Sequence, residues 1–579
     1  QCESRFTVDG KPGEFEAVIG LSPQTEDATI LSPTSGTMFS WEVVGDLGLG
    51  TAVFIDPART AVYGDANNIA RTDETGYVRW FAGYAWEGQG EIASLEGWKA
   101  YLADFAKRVA AKPFADHHAT LTVHTAEPPP APLEIAPVDG VSGAFRLMTN
   151  GGWCWYQDPR AIVLGDGRVV FNSVAGATYG GIDGGDLYVT TWNPKTNGLQ
   201  HFELADKFEK NDHAAGALLE LPDGRIHAVY GRHVGDRGPR WRTTVEAGAI
   251  GSWTEEATFD IGARYSYTNL YRLSAEAGRL YNFSRTRGFN PNCTISDDGG
   301  KTWKYGWRLL SWTKEDLKGD PKFTGIDGCR PYVRYAGNGR DEIHFITTED
   351  HPRAYDNSIW HGYYKGGKLH DSTGKVVGEP GLDGTSDVKP TSFSQAFAGA
   401  PDRVAWGADL ELDAEGRPYC AFSVQVDGAK ERGKRGKPTV GQDHRYWYAR
   451  FDGEKWHAHE MAYAGTRLYP MEDDYTGLVA LDPDDPDVAV ISTNADPVTG
   501  KPLISKTDGL RHWELYRGKT ADGGKAWKWT AITRDSKVDN LRPLIPANPG
   551  GKRVILWCRG DFKSYGNYRL DVCGIAEAR

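Results

Sequence analysis

The feature that most constrains this chain is an eight-residue turn that occurs twice. Ser296-Asp297-Asp298-Gly299-Gly300-Lys301-Thr302-Trp303 and Thr520-Ala521-Asp522-Gly523-Gly524-Lys525-Ala526-Trp527 share a hydroxyl residue, an Asp, a Gly pair and a closing Trp at the same spacing. In such a turn the Asp carboxylate ties the backbone, Gly takes positive φ, and the indole packs between strands. Asp508-Gly509 with Trp513 reads as a third, decayed copy.

The pattern is that of the Asp-box turn of propeller blades, a scaffold signal, and repetition of such a unit implies a radial array. Further turn signals stand at Asp166-Gly167, Asp223-Gly224, Glu415-Gly416 and Asp452-Gly453, with almost no helical periodicity between them. The 70 Gly and the aromatic share of 12% suit short strands and tight turns. About 440 residues at roughly 60 per four-stranded blade predict seven blades, with six as the alternative.

Glu127-Pro128-Pro129-Pro130-Ala131-Pro132 reads as a stiff linker. Before it, Leu95, Trp98, Leu102, Phe105 and Val109 recur at helical spacing behind Ser94, a candidate N-cap, and Thr51 to Ile55 and Tyr77 to Phe81 read as strands. The expected fold class is therefore all-β: a seven-bladed β-propeller over 141–579, preceded by a small α+β or β-sandwich domain over 1–125 and a linker over 126–140.

A net charge of −12 argues against a nucleic-acid partner. No apolar run is long enough for a membrane span. The basic stretch Lys430, Arg432, Lys434, Arg435 and Lys437 reads as a solvated hairpin tip. An anionic substrate then needs a local cluster of Arg, Lys or His. No phosphate loop, dinucleotide fingerprint or HExxH motif occurs, so no cofactor is required by motif. A structural zinc or calcium ion stays open, because Cys329, His351, His361, His370 and Cys420 show no local ligand spacing. Cys558 and Cys573 lie on two apolar runs and read either as a bridge between neighbouring strands or as two buried thiols.

The most informative segment runs from Asp212-His213 to Arg232-His233. If Pro222-Asp223-Gly224 is a three-residue hairpin loop, residues whose numbers sum to 446 face each other, and His213 then faces His233. His227, nearer the turn, reads as structural. Tyr267, on the run Tyr265 to Leu270, and Arg285, ending Leu280 to Arg285, fall on adjacent strands of the next blade and can reach the same funnel. Arg suits a carboxylate because its planar fork engages both oxygens. Arg330 in Cys329-Arg330-Pro331-Tyr332, His351 in Asp350-His351-Pro352, Arg542 in Asn540-Leu541-Arg542-Pro543 and Trp155 are candidate substrate contacts.

Through most of 145–579 the chain resembles the bacterial-neuraminidase-repeat propellers that include ulvan lyases and rhamnose-glucuronate lyases. The resemblance rests on Gly152-Trp153-Cys154-Trp155-Tyr156-Gln157-Asp158-Pro159-Arg160, the Asp212 to His233 hairpin, Cys329-Arg330-Pro331-Tyr332, His351-Pro352 and Val538-Asp539-Asn540-Leu541-Arg542-Pro543. It implies seven blades and a catalytic group formed by His213, His233, Tyr267 and Arg285. The short spacing from His233 to Tyr267 leaves Tyr265 as the alternative. Residues 1–125 resemble part of a domain of unknown function, notably at Gly48-Leu49-Gly50-Thr51-Ala52-Val53.

The expected activity is a polysaccharide or oligosaccharide lyase that cleaves next to a uronic acid, glucuronate or iduronate, rhamnose-linked as in ulvan, by β-elimination. Arg285 neutralises the carboxylate, and Tyr267 or a His moves the protons. A phenol titrates near 10, so this reading expects Arg and protonated His to lower Tyr267. The alternatives are a rhamnosidase-like glycoside hydrolase and a non-catalytic glycan-binding propeller. The expected partner is an anionic polysaccharide or oligosaccharide. A secreted or periplasmic location is inferred from that function alone.

Overall fold

In the computed structural model the described residues are the strands and helix within 2–111, and then 135–323, 329–382, 384–427 and 440–579. The Pro-rich stretch Glu127 to Pro132 and the basic segment Lys430 to Lys437 lie outside them. The chain divides into two compact units, Gln1–Ala131 and Pro132–Arg579.

In the first unit a five-stranded antiparallel sheet has Leu47–Ile55 at its centre, between Thr37–Val44 and Tyr77–Trp86. The helix Leu95–Ala111 begins where expected, its first turn capped by Ser94, whose Oγ accepts from Gly97 N–H at 3.1 Å. Trp98 and Leu102 bury against Phe39 and Ala52 of the sheet. A Cβ at Gly50 would come within 2.8 Å of the Trp98 ring, so this strand position needs glycine.

The second unit is a ring of seven antiparallel sheets. Its blades have the inner strands Ala161–Val163, Ala217–Glu220, Ser266–Leu273, Val333–Gly337, Val404–Leu412, Val479–Asp482 and Asp539–Leu544. The seventh blade closes the ring: Ala144–Met148 from the start of the unit pairs with Asn567–Glu577 from its end, and Ala136–Pro137 adds to the edge. Ordered propeller structure thus begins inside the stretch expected to be linker. Seven blades hold, not six.

Both Asp boxes join the third and fourth strands of their blades, the third and the sixth. In the first, Asp298 accepts from Thr302 N–H at 2.9 Å, and Ser296 Oγ accepts from Gly300 N–H at 2.9 Å. In the second, Asp522 accepts from Ala526 N–H at 3.0 Å and Thr520 Oγ1 from Gly524 N–H at 3.0 Å. Each closing Trp reaches the preceding blade: Trp303 stacks on His227 and Trp527 meets Tyr448 edge-on. The Asp508-Gly509 turn is no third copy. It lies between the second and third strands of the sixth blade, Asp485–Thr493 and Glu514–Thr520, where no box position exists.

Cys558 and Cys573 do sit on paired strands, but Cys558 pairs with Val572 and Cys573 with Trp557. One residue of offset turns the two thiols to opposite faces of the sheet. Cys558 packs in the large central core and Cys573 in a separate cluster, and both are free thiols.

Candidate active site

The hairpin register is the one read from the sequence: Ala217 pairs with Val229, Leu218 with Ala228 and Leu219 with His227. His213 and His233 lie beyond the paired region. His213 is the middle residue of a single 3-10 turn, Asp212–Ala214, capped by Asn211, whose side chain accepts from His213 N–H at 3.1 Å. His233 follows the second strand, and its N–H donates to Glu209 Oε2 at 2.6 Å. Their rings stack at 4.4 Å between centroids with planes 26° apart.

Tyr267 joins them by way of a defect. It stands in a bulge of the third blade's inner strand, between Ser266, which pairs with Arg285, and Asn269, which pairs with Phe283. Its φ of +66° is the left-handed conformation that a bulky side chain rarely accepts. The result is a ring turned toward the His pair, 5.5 Å from His213 and 6.1 Å from His233. Such local strain persists only where the surrounding structure over-determines it, and it clusters at active sites and ligand clamps.

Arg285, last residue of Arg279–Arg285, closes the group. Its Nη1 donates to Tyr332 Oη at 3.0 Å, its Nη2 meets His233 Nε2 at 3.1 Å, and its guanidinium lies 4.7 Å from the Tyr267 ring centroid. It is buried, yet among the described residues no carboxylate pairs with it, and its Nε has no hydrogen-bond partner. A buried cation without an anion is costly. A guanidinium offers only donors, so Nε2 of His233 meets it with its lone pair. Burial, then the charges of His213, Arg285 and Arg330, push His233 far below its ordinary value, so the ring is neutral.

His213 has the opposite character. Burial alone would push it down, but the Cys154 sulfur and the Asp212 carboxylate outweigh this and hold it well above the usual imidazole value. Nδ1 lies 2.5 Å from Asp212 Oδ1. Burial, opposed by Arg285, holds the Tyr267 phenol well above its ordinary value. This corrects the expectation that neighbouring cations lower it: desolvation outweighs them, and the phenol is protonated at neutral pH.

The remaining candidates separate. Arg330 donates its N–H to Asp350 Oδ1 at 2.9 Å, and its charge acts on His233. His351 is buried behind Tyr332, with ring centroids 5.5 Å apart. Arg542 and Trp155 are buried, each tied to protein groups. Arg542 is 0% exposed, and its Nη1 donates to Asp212 Oδ2 at 2.6 Å and to the Trp153 carbonyl. Trp155 is buried with its Nε1 on Gly407 O at 3.1 Å. Arg542 thus braces the carboxylate beside which His213 stands.

Tyr265 is fully buried, accepts from Asn282 Nδ2 at 3.1 Å, and is structural. His227 is also a core residue, bonded to Thr243 at 2.8 Å and pushed down to about 3 by burial. Sequence reading missed Tyr332, although it stands two residues after Arg330. It missed Tyr565 as well, a 37% exposed ring set edge-on to both His rings from the seventh blade's hairpin tip. Nothing local marks that position. The zinc candidates Cys329, His351, His361, His370 and Cys420 do not assemble; among the described residues, the group with metal-ligand spacing is Cys154, Asp212 and His213.

Residues 179–464 match the model of a BNR repeat-containing family member, a span from the first blade to the end of the fifth. Residues 2–114 match a domain of unknown function, DUF4861. No curated protein matches the chain. Among solved structures, an ulvan lyase from a new family of polysaccharide lyase, bound to GlcA(1-4)Rha3S, is similar at a TM-score of 0.53 and 14% identity, covering 76% of this chain and 95% of its own. A second structure of an ulvan lyase covers the same shares at a TM-score of 0.52 and 15% identity. At such identities the likeness is one of fold.

Proposed function

We propose that this chain is a polysaccharide lyase that cleaves beside a uronic acid by β-elimination, with a rhamnose-linked glucuronate or iduronate polymer as substrate. The observation that carries this reading is Arg285, a buried guanidinium with no carboxylate partner among the described residues, set between a neutral imidazole and a protonated phenol. A uronate carboxylate supplies the missing anion. Its bidentate grip by Arg285 withdraws charge from the carboxylate and acidifies the C5 proton.

The division of labour follows from the protonation states. When the carboxylate takes Nη2 of Arg285, the lone pair on His233 Nε2 is released, and this neutral ring accepts the C5 proton. Tyr267, still carrying its proton, donates it to the departing O4. His213, held cationic by Asp212, adds positive charge beside the developing enolate. An extracellular or periplasmic site suits a polymer substrate; no helix among the described residues is long and apolar enough to cross a membrane.

The test is a panel of uronic-acid polysaccharides, read by the ultraviolet absorbance of the C4=C5 double bond and by product mass. An unsaturated product formed by the parent and lost in Arg285→Lys supports the reading. Saturated products alone would identify a hydrolase, and binding without turnover a glycan-binding propeller.

A further inference from the structure

Beside His213 the fold assembles three donors that elimination does not use together. Cys154 and Asp212 are fully buried and His213 nearly so, and the Cys154 Sγ, one Asp212 oxygen and a His213 ring nitrogen all lie within 4.8 Å of one another. The backbone holds them there: Cys154 N–H donates to Asp212 O at 2.9 Å, and Gln157 Nε2 donates to His213 O at 2.5 Å.

Asp212 Oδ1 and His213 Nδ1 lie 2.5 Å apart as an ion pair, with the Cys154 sulfur beside the imidazole. A proton joins them, and a cation can take its place. Asp212 has already committed its other oxygen to Arg542, which fixes the carboxylate and leaves Oδ1 aimed at the sulfur and the imidazole.

We propose that Cys154, Asp212 and His213 form a binding site for one thiophilic divalent cation of the zinc class. Thiolate, imidazole and a single carboxylate oxygen are the donor set that such ions prefer, whereas calcium and magnesium take all-oxygen shells. Thiolate and carboxylate together balance the 2+ charge, and three protein donors leave a fourth position open. Tetrahedral coordination places donor atoms about 3.5 Å apart, so the 2.5 Å contact between His213 Nδ1 and Asp212 Oδ1 widens by roughly 1 Å when the ion enters. Arg542 then acts as the outer partner that orients the ligating carboxylate. Bound metal and the cationic form of His213 exclude one another: with Nδ1 on the metal the imidazole is neutral and presents only its Nε2–H to the pocket, so the ion-free state is the one that supplies the His213 cation to elimination.

The test uses the full chain after chelator treatment, in a background where Cys2 and Cys329 are serine, with Co2+ as a spectroscopic probe. The expected result is one equivalent of Co2+ bound with a thiolate-to-cobalt charge-transfer band, displaced by Zn2+. Cys154→Ser abolishes the band, and His213→Gln weakens Co2+ affinity at least tenfold. Near-UV circular dichroism checks that each variant is folded; should Cys154→Ser not fold, the His213→Gln affinity decides. No band at stoichiometric Co2+, a band that survives Cys154→Ser, or unchanged affinity in His213→Gln would overturn the site. The readout needs no substrate, so it stands apart from the lyase reading.

Discussion

Two buried arginines, Arg285 and Arg542, differ in one respect that makes opposite predictions for the same substitution. Arg542 is paired with Asp212, itself 0% exposed, at 2.6 Å. Arg542→Met strips that carboxylate of a partner in the interior, and breaking a buried pair in this way costs about 3–5 kcal/mol. His213 stays beside Asp212, which places the expected loss near the lower end. Among the described residues Arg285 has no acid to abandon. Arg285→Met forfeits the hydrogen bonds to Tyr332 and His233, about 1.5–3 kcal/mol each for a charged donor. It also removes a desolvation penalty of several kcal/mol. The two nearly cancel, so its stability should stay within about 1 kcal/mol of the parent.

Catalysis should move the other way. Loss of the group that stabilises developing charge lowers turnover by about a hundredfold or more. Urea unfolding followed by tryptophan fluorescence, with midpoints and slopes compared across parent and both variants, measures the first quantity; formation of unsaturated product measures the second. If Arg285→Met proves as destabilising as Arg542→Met, Arg285 is a compensated structural cation and the argument for a carboxylate ligand collapses.

The two tyrosines of the third blade should also separate. Tyr267→Phe is expected to cut turnover about 10²–10⁴-fold with substrate affinity nearly unchanged, whereas Tyr265→Phe should keep activity and lose about 1 kcal/mol of stability as Asn282 gives up one acceptor. Stability should fall toward both ends of the pH range, for different histidines. His213 is raised, so its contribution is complete below about pH 6.5 and is lost as pH climbs through its folded value; His233 is depressed, so stability is lost as pH drops below about 6.5, where only the unfolded chain takes the proton. His213→Gln should flatten the alkaline limb and His233→Gln the acid limb of a midpoint-versus-pH curve. Gly300→Ala should destabilise the propeller by more than about 1 kcal/mol, since φ is +89° and the new Cβ would sit 2.6 Å from the His227 ring; an unchanged unfolding midpoint would show that the box turn is slack.

What the amino-acid sequence alone determined here is local or periodic. The Asp-box turns, the helix behind Ser94 and the Pro222-Asp223-Gly224 hairpin are set by residues within a few positions of one another, so spacing was enough to read them, and the hairpin register carried His213 opposite His233. The rest depended on where the ring brings distant strands together. Arg542 follows Asp212 by 330 positions, and only ring closure turns an apparent substrate contact into a buried brace. Tyr267 reaches the site through a bulge whose positive φ no residue preference announces. Its raised pKa is equally a tertiary property: sequence shows the neighbouring cations, but the desolvation that outweighs them exists only once Tyr156, Tyr332 and Arg285 have closed around the ring. The Cys154 donor joins Asp212 and His213 across more than fifty residues for the same reason, because coordination is a matter of distance in space.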